Sequence, residues 1–289
     1  MNKKVGKKMI IGLIILLTIL VLLFIWFMIP YSPLKTNFKK DIIQLIDKNK
    51  IDDSNEIFST NEFSKFPLAI QKYVKSSGYI GKKKMSFLKM KYNNIDFMQG
   101  QNGPKLKIDY IQYNFVKEPD RLALIDSSMF GIPFEGYDRF LDGRGSMKGV
   151  IAKLITLFDQ KGNEMDKACL VTFLAESFFA PNILLQDYIS FEEIDEYNVK
   201  ATITYSGIEA SGVFTFNENY EMISFTTNDR AVVGTDGSIE YIKWSAVCED
   251  YKVADNGIKY PTKFKAIWNY PEKDFVYFDG KITEISYEF

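Results

Sequence analysis

The segment Tyr197-Asn-Val-Lys-Ala-Thr-Ile-Thr-Tyr205 carries the strongest structural signal in this 289-residue sequence, because apolar and polar residues alternate along it. Successive residues of a β-strand point to opposite faces, so the pattern predicts that Tyr197, Val199, Ala201, Ile203 and Tyr205 share one face. The segment is therefore predicted to be a strand of an antiparallel sheet with one face in a core.

Similar segments recur on both sides of this strand. Residues 106–110 alternate in the same way, and further strands are predicted at 122–125, 213–216, 222–227, 239–244, 263–270, 275–278 and 282–289. Turn-forming residues fall between them at 217–219, 234–237, 255–257 and 279–280. Many short strands at close spacing predict a mainly β (α+β) fold built on one large curved antiparallel sheet or half-barrel.

Two segments depart from this strand pattern. Residues 166–186 are apolar with helical spacing, so Asp166 is predicted to cap a helix that Pro181 breaks and that 182–186 restart. We expect this helical insertion to cover the mouth or the inner face of the sheet. A shorter helix is predicted at 66–78, with Pro67 in its first turn and Gly78 as its left-handed cap.

The N-terminal region predicts a membrane anchor. Residues 9–29 contain no charge and, at about 1.5 Å per residue, are long enough to cross a hydrocarbon core of about 30 Å. The preceding lysines favour an N-terminus inside the cell. A cleaved signal peptide is the alternative, but its apolar part is usually about 7–15 residues long. The sequence therefore predicts an uncleaved single-pass anchor in a bacterial cell membrane, with residues 1–8 inside.

The part beyond the anchor is predicted to lie outside the cytoplasm in two sections. Residues 30–60 are predicted to form a stalk with one amphipathic helix over 37–50, because Phe38, Ile42, Leu45 and Ile46 recur at helical spacing. The polar residues 52–55 are expected to end this helix. Residues 61–289 are predicted to form the mostly β domain.

The composition excludes several kinds of function. The sequence contains no histidine, which excludes His-based acid–base and nucleophilic catalysis and removes the commonest metal ligand. A net charge of −1 argues against a nucleic-acid partner. Two distant cysteines, Cys169 and Cys248, make no disulfide framework. We predict that they are free and buried, with a single bridge as the alternative.

No cofactor, metal site or catalytic residue is predicted. Gly143-Arg-Gly145 lacks the third glycine of a dinucleotide motif and is expected to be a tight turn. The carboxylates considered for acid–base work are Asp138, Asp142, Glu176, Asp195 and Asp229. Glu176 lies in an otherwise apolar helix, so we expect it to be paired with one of the four arginines, which are Arg121, Arg139, Arg144 and Arg230.

Aromatic residues suggest an apolar interior, and they make up 15% of the sequence. Side chains of the helical insertion are expected to face aromatic strand positions; these residues are Phe173, Phe178, Phe179, Leu184 and Leu185 on the insertion, and Phe214, Phe216, Phe225, Trp244, Phe264 and Trp268 on the strands. A curved sheet covered in this way either fills its interior with side chains or encloses a pocket. The sequence leaves both alternatives open.

Several motifs together resemble an uncharacterised bacterial family, a domain of unknown function carried behind one N-terminal membrane helix. They are Phe-Pro-Leu-Ala-Ile-Gln-Lys-Tyr-Val at 66–74, Pro133-Phe134 with Asp138 and Gly143-Arg-Gly145, Leu-Ala-Glu-Ser-Phe-Phe-Ala-Pro at 174–181, Asn228-Asp229-Arg230, Trp244, Gly257 with Pro261, Trp268 and Tyr287. The resemblance covers residues 62–289 and carries no assigned activity. It implies a fold similar to the curved sheets of bacterial lipoprotein carriers, which hold acyl chains.

These observations give a functional hypothesis. The membrane-anchored outer domain is expected to bind a lipid or another hydrophobic ligand, with Glu176 or Arg230 meeting a polar headgroup. The residues predicted to bind it are Glu176, Arg230, Phe178, Phe179, Trp244 and Trp268. The alternatives are a carboxylate-dependent hydrolase of the envelope, and an envelope scaffold or sensor without a small ligand. The sequence identifies no protein partner.

Overall fold

The computed structural model describes residues 3–49, 56–101, 103–234 and 237–288. Within these ranges the α-helices are α1 (Lys3–Met28), α2 (Pro33–Lys48), α3 (Leu68–Ser76) and α4 (Asn163–Glu176), and α4 is followed by 3-10 turns at Ser177–Phe179 and Pro181–Ile183. The strands are β1 (Phe87–Met98), β2 (Lys105–Phe115), β3 (Arg121–Met129), β4 (Ile132–Leu141), β5 (Arg144–Ile151), β6 (Ile155–Lys161), β7 (Ile189–Glu193), β8 (Asn198–Tyr205), β9 (Ile208–Phe216), β10 (Met222–Thr227), β11 (Ala231–Val233), β12 (Ile239–Tyr241), β13 (Trp244–Val253), β14 (Lys259–Asn269) and β15 (Asp274–Glu288).

Thirteen of these strands form one antiparallel sheet in the order β6-β5-β4-β3-β2-β1-β15-β14-β13-β10-β9-β8-β7, and β11 and β12 form a separate hairpin. The chain thus builds one meander before α4 and a second one after it, and the pairing of β15 with β1 joins the two. Helix α4 contacts β4–β6 near one end of the sheet and β8–β9 near the other, so it spans the concave face. The predicted mainly β fold with a curved sheet and a helical insertion is confirmed.

The helix α4 differs from the sequence prediction at its beginning. It starts at Asn163 after the N-cap residue Gly162, so Asp166 is not the cap. The buried carboxylate of Asp166 instead accepts hydrogen bonds from the backbone N–H of Gly145 (2.6 Å) and from Arg144 (3.1 Å). A Cβ on Gly145 would lie 2.5 Å from the carbonyl oxygen of Met165, so glycine allows α4 to approach β5 closely.

Of two turns predicted from the sequence, the one at 279–280 is wrong and the one at Gly143 is confirmed. Residues 279–280 lie inside the long strand β15, where a Cβ on Gly280 would come within 2.9 Å of Ile95 and 3.0 Å of Tyr92. The Gly143 turn is confirmed as a two-residue hairpin loop, in which Asp142 and Gly143 both have positive φ angles (50° and 76°). The other predictions that fall on residues 50–55, 235–236 and 289 lie outside the described residues.

The segment predicted as a stalk does not stand free. Helix α2 buries Leu34, Phe38, Ile42 and Leu45 against the convex face of the sheet, where a second apolar cluster contains Phe87, Phe115, Leu122, Tyr137 and Val150. An amphipathic helix buries its apolar stripe wherever a matching surface is available, and β2–β5 present one. The main core lies on the concave face and begins at Phe58, close to the bridge between Ile57 and Lys83.

Helix α1 is the one described helix that is long and apolar enough to cross a membrane. Its residues 7–25 are exposed and make no contact with the rest of the protein that would bury them. Helix α1 ends at Met28, and the turn between β5 and β6 contacts its last residues through Lys153 and Ala152.

The end of α2 carries a titratable contact. The ammonium group of Lys48 lies 2.5 Å from Glu118, 3.6 Å from Asp120 and 3.6 Å from Asp142. Burial raises the pKa of Asp120 to about 6, although the N–H of Asp142 and the charge of Lys48 both favour the ionised form.

This raised pKa predicts how stability depends on pH. Because the folded pKa exceeds the unfolded value of about 4, the protonated form stabilises the fold as the pH falls from about 7 to 4. The wild type should therefore gain up to about 3 kcal/mol in its free energy of unfolding over that range, whereas the variant Asp120→Asn cannot take up this proton and should not. The free energy of unfolding of the variant minus that of the wild type should fall by this amount between pH 7 and pH 4. Chemical denaturation of the detergent-solubilised chain at pH 4, 5, 6 and 7 measures it, and a difference that does not change with pH would contradict the assignment.

Candidate ligand-binding cavity

A cavity of about 820 Å³ lies on the concave face of the sheet, beneath α4. This volume falls within the range of about 300–1,000 Å³ that is usual for small-molecule sites. Its walls are mainly aromatic and aliphatic; the lining side chains include Tyr92, Phe97, Tyr110, Ile125, Phe134, Met147, Phe158, Met165, Trp244, Phe264, Trp268, Phe275, Tyr277 and Phe278. The sheet supplies most of them from inward-facing positions of β1–β6 and β13–β15.

The other half of the concave space is filled. Phe178 packs against Phe214 with a centroid distance of 4.4 Å and also contacts Tyr73, and Phe179 packs against Phe264. The hydroxyl of Tyr73 donates a hydrogen bond to the carbonyl oxygen of Phe178 (2.8 Å). The interior is therefore filled beneath the 3-10 turns and hollow beneath the body of α4.

A buried carboxylate lies between the two halves. One oxygen of Glu176 accepts hydrogen bonds from Gln112 (2.9 Å), Asn114 (2.8 Å) and the Nε of Arg121 (2.8 Å), and the second accepts one from Arg121 (3.1 Å). Gln112 and Asn114 are inward-facing residues of β2, and Arg121 begins β3. Glu176 ends α4, where the helix dipole disfavours a negative charge, so the arginine offsets both the dipole and the burial.

Arg121 is the centre of this network. Its guanidinium also donates to Asp138 (2.7 Å) and to the hydroxyl of Tyr110 (2.6 Å). Burial alone would lower the pKa of Arg121, but the charges of Glu176 and Asp138 outweigh burial and raise it above its ordinary value. Burial raises the pKa of Tyr110, so this hydroxyl stays protonated. The network holds a permanent cation between two carboxylates at the inner wall of the cavity.

Arg230 lies in a different environment. Its guanidinium carbon is 4.9 Å from the ring centroid of Trp244 and 5.1 Å from that of Trp268, and its Nε donates to the hydroxyl of Thr172 (3.3 Å). The other three arginines each form a salt bridge, whereas Arg230 forms none with the residues that the structure describes. It is a cation on the cavity wall, and its partners in the described part of the chain are two aromatic rings and a hydroxyl.

The cavity opens at one end of the sheet. Its lining there includes the exposed residues Gln99, Gln101 and Ser238, together with Val232, Val233, Gly234 and Tyr270. We call this ring of residues the mouth. It is formed by the turn between β1 and β2, the β11–β12 hairpin and the end of β14.

The structure brings together four of the six residues predicted to bind a ligand. Arg230, Trp244, Trp268 and Glu176 line the cavity, with Glu176 engaged by Arg121 as expected for a paired carboxylate. Phe178 and Phe179 are fully buried in the filled half and do not line it. Sequence reasoning missed the polar set on β2, although its spacing of two along an otherwise apolar inward face was a usable signal.

The remaining candidate carboxylates have local structural partners. Asp229 accepts hydrogen bonds from Lys167 (2.9 Å) and from the N–H of Ser211 (2.7 Å). Asp195 accepts hydrogen bonds from its own turn, including the N–H of Asn198 (2.9 Å). Asp142 lies in the β4–β5 turn beside Lys48 and does not line the cavity.

Both cysteines are free and buried. Burial raises the pKa of the Cys169 thiol, and the nearby charge of Asp138 adds to this shift. Burial also raises the pKa of the Cys248 thiol. Neither thiol is suited to act as a nucleophile, because the reactive form is the thiolate.

The network predicts a large cost for altering Glu176. The substitution Glu176→Gln should lower the free energy of unfolding by about 3–5 kcal/mol, because it leaves buried Arg121 without the carboxylate that accepts two of its hydrogen bonds. The matched control is Glu249→Gln, which breaks the more exposed pair with Lys265 and should cost less than about 1 kcal/mol. Denaturation curves measure both, and equal small costs would show that Glu176 is not structural.

Several solved structures resemble the chain. One is a domain assigned to the outer membrane lipoprotein-sorting proteins, from Vibrio parahaemolyticus, with 10% sequence identity and a TM-score of 0.41 over 76% of this chain and 90% of that one. Another is a DUF1329 family protein from Desulfovibrio piger, with 11% identity and a TM-score of 0.39 over 76% and 91% of the two chains. Similarity at this level carries no functional information.

Sequence comparison identifies a family directly. No curated protein matches the chain. The family of unknown function DUF6544 matches residues 56–280, which is most of the chain and includes β1–β14, the start of β15, α4 and the whole cavity. The resemblance inferred from the sequence motifs is confirmed, and the chain belongs to the family DUF6544.

Proposed function

We propose that this protein is a membrane-anchored, extracytoplasmic carrier or receptor for a lipid or another long-chain amphiphile, which it binds in the concave cavity. The observation that carries the proposal is an aromatic-walled cavity of about 820 Å³ in which Arg230 lies between two tryptophans. Each Å² of apolar surface buried by an acyl chain contributes about 25 cal/mol. Burial of an acyl chain of ordinary length would therefore supply most of the binding free energy.

Arg230 gives the proposed ligand a polar end. A guanidinium group binds carboxylate or phosphate oxygens in a bidentate manner, and such charge-assisted hydrogen bonds are among the stronger ones. Trp244 and Trp268 fix the plane of the group, and Thr172 occupies only its Nε. Within the described ranges no other group binds its remaining N–H groups, which can therefore meet an anionic headgroup, while Arg121, deeper in the wall, is already paired. The proposed ligand is therefore an anionic amphiphile.

The anchor and its orientation belong to the same proposal. The exposed apolar residues of α1 are unfavourable in water and suit the hydrocarbon core of a bilayer. The lysines at the start of α1 favour a cytoplasmic N-terminus, which puts the sheet and its cavity outside. A carrier of lipids held beside the bilayer in this way has its ligand source within reach.

The hydrolase alternative is less well supported. A glycosidase-type mechanism needs a free acid and a free base on opposite sides of the scissile bond. The two carboxylates nearest the cavity, Glu176 and Asp138, both bind the guanidinium of Arg121. This arrangement suits a structural role better than proton transfer.

Tryptophan fluorescence tests the occupancy of the cavity. The sequence contains three tryptophans, so Trp26→Phe leaves only Trp244 and Trp268, both on the cavity wall. A fatty acid brominated in mid-chain, added to this full-length variant in detergent, should quench most of the remaining fluorescence in a saturable manner, because bromine quenches on contact.

The control for the quenching experiment compares two substitutions to phenylalanine, one on each face of the sheet. In the Trp26→Phe background, Ala266→Phe places a ring in the cavity and should abolish saturable quenching, whereas Val276→Phe adds the same ring on the exposed face of the adjacent strand and should leave it unchanged. Quenching that is linear with concentration, or equal in the two variants, would contradict a cavity ligand.

Arg230 is expected to select the headgroup. The substitution Arg230→Gln should weaken binding of the brominated fatty acid by about tenfold or more, because a charge-assisted hydrogen bond contributes about 1.5–3 kcal/mol. Binding of the fatty alcohol with the same brominated chain should change little. If both ligands lose affinity equally, or neither does, Arg230 does not recognise the charge.

A further inference from the structure

Several loops meet at one end of the sheet. The pairs Met98 with Lys105 and Met129 with Ile132 close the β1–β2 and β3–β4 turns, and the registers of β1–β3 put both turns at the same end. The pair Ile151 with Ile155 closes the β5–β6 turn beside them. The mouth of the cavity lies at this end, because the β1–β2 turn forms part of it.

Large apolar side chains are exposed on two of these neighbouring hairpins. Phe130 at the β3–β4 turn is 96% exposed, and Leu154, Ile155 and Leu157 at the β5–β6 turn and the start of β6 are 66%, 59% and 47% exposed. A cluster of this kind is uncommon on a soluble surface and marks an interaction site. We call these four residues the apolar tips.

The backbone at Phe130 gives a second, independent observation. Its φ angle is +53°, in the left-handed region where glycine and asparagine are preferred and where a bulky residue is strained. A phenylalanine that is both strained and fully exposed adds nothing to the stability of the hairpin. Its placement is explained if the ring is buried by something outside the chain.

Contacts with α1 identify that partner. The ammonium group of Lys153, in the β5–β6 turn, donates to the carbonyl oxygens of Trp26 (3.2 Å), Phe27 (3.0 Å) and Ile29 (2.5 Å). The indole N–H of Trp26 donates in return to the carbonyl oxygen of Ala152 (2.9 Å). These bonds satisfy the carbonyls that a helix leaves free at its C-terminus. They hold the apolar tips at the point where α1 ends.

We infer that this end of the domain docks on the lipid bilayer, with the apolar tips inserted into the leaflet at the C-terminal end of α1 and the mouth of the cavity facing that leaflet. The inference rests on α1 crossing the membrane, which is part of the proposed function, but it does not depend on what fills the cavity. It adds a route to the carrier proposal, because an amphiphile would pass from the leaflet into the cavity without crossing water.

Fluorophores attached to single cysteines test the docking. In the full chain reconstituted into phosphatidylcholine–phosphatidylglycerol vesicles, an NBD label is placed by Phe130→Cys, by Leu154→Cys or by Lys117→Cys. Cys169 and Cys248 are buried, so the unsubstituted chain gives the labelling background. Lys117 is the matched control because it is also exposed but lies at the opposite end of the sheet. It precedes β3 and Phe130 follows β3, and a strand of this length, at about 3.3 Å per residue, separates them by roughly 30 Å.

The expected result is a blue-shifted NBD emission at positions 130 and 154, with at least twofold quenching by doxyl-labelled lipids, and neither effect at position 117. A blue shift without doxyl quenching would show that the apolar tips contact protein, and it would overturn the inference. Water-like emission at all three positions would also overturn it, and so would equal quenching at all three. Quenching of Trp244 and Trp268 by the brominated fatty acid reports on the cavity separately, so the two proposals fail independently.

Discussion

The buried ion pair between Arg121 and Glu176 is the interaction on which the interior of this domain depends. Glu176 ends α4, and Arg121 begins β3, so their contact fixes one end of the helix against the N-terminal meander of the sheet. A carboxylate at the C-terminal end of a helix, removed from water, is unfavourable unless a cation meets it. Asn114 and Gln112 satisfy the rest of its hydrogen-bonding capacity, so the charge is both neutralised and solvated by the protein.

The position of this pair explains why the concave space is divided. Beyond Glu176 the chain turns into two 3-10 turns, whose phenylalanines pack tightly with the aromatic residues of β9 and with Tyr73. Before Glu176, α4 presents smaller side chains such as Ala168 and Thr172 to the sheet. A helix held at both ends of a curved sheet but carrying small residues toward its concave face leaves volume that the core does not fill. Function is proposed for that unfilled volume, where Arg230 and two tryptophans converge.

Much of the fold could be predicted from the sequence, because strict alternation in β8 and apolar helical spacing in α4 are local signals that the tertiary structure does not override. The strands β1, β4–β7 and β11 were missed, and so was all of β13 beyond Trp244. In β4 and β5 the apolar pattern of the inward face is interrupted by an aspartate and three glycines. Asp138 binds Arg121, and Gly136, Gly145 and Gly149 allow neighbouring groups to pack closely. The docking of α2 was missed as well, because an amphipathic pattern predicts a buried stripe without saying which surface buries it.

Of the candidate site, the sequence identified Arg230, Trp244, Trp268 and the pairing of Glu176, but it could not distinguish a filled interior from a hollow one. That difference depends on how the two meanders curve around α4, which is a property of register and packing rather than composition. An electron-density map of the chain purified from its native cells is the most direct test of ligand binding in the cavity. We expect elongated density along the aromatic wall with its polar end at Arg230. A cavity closed by the inward movement of Trp268 and its neighbours, with no space for an acyl chain, would contradict ligand binding there.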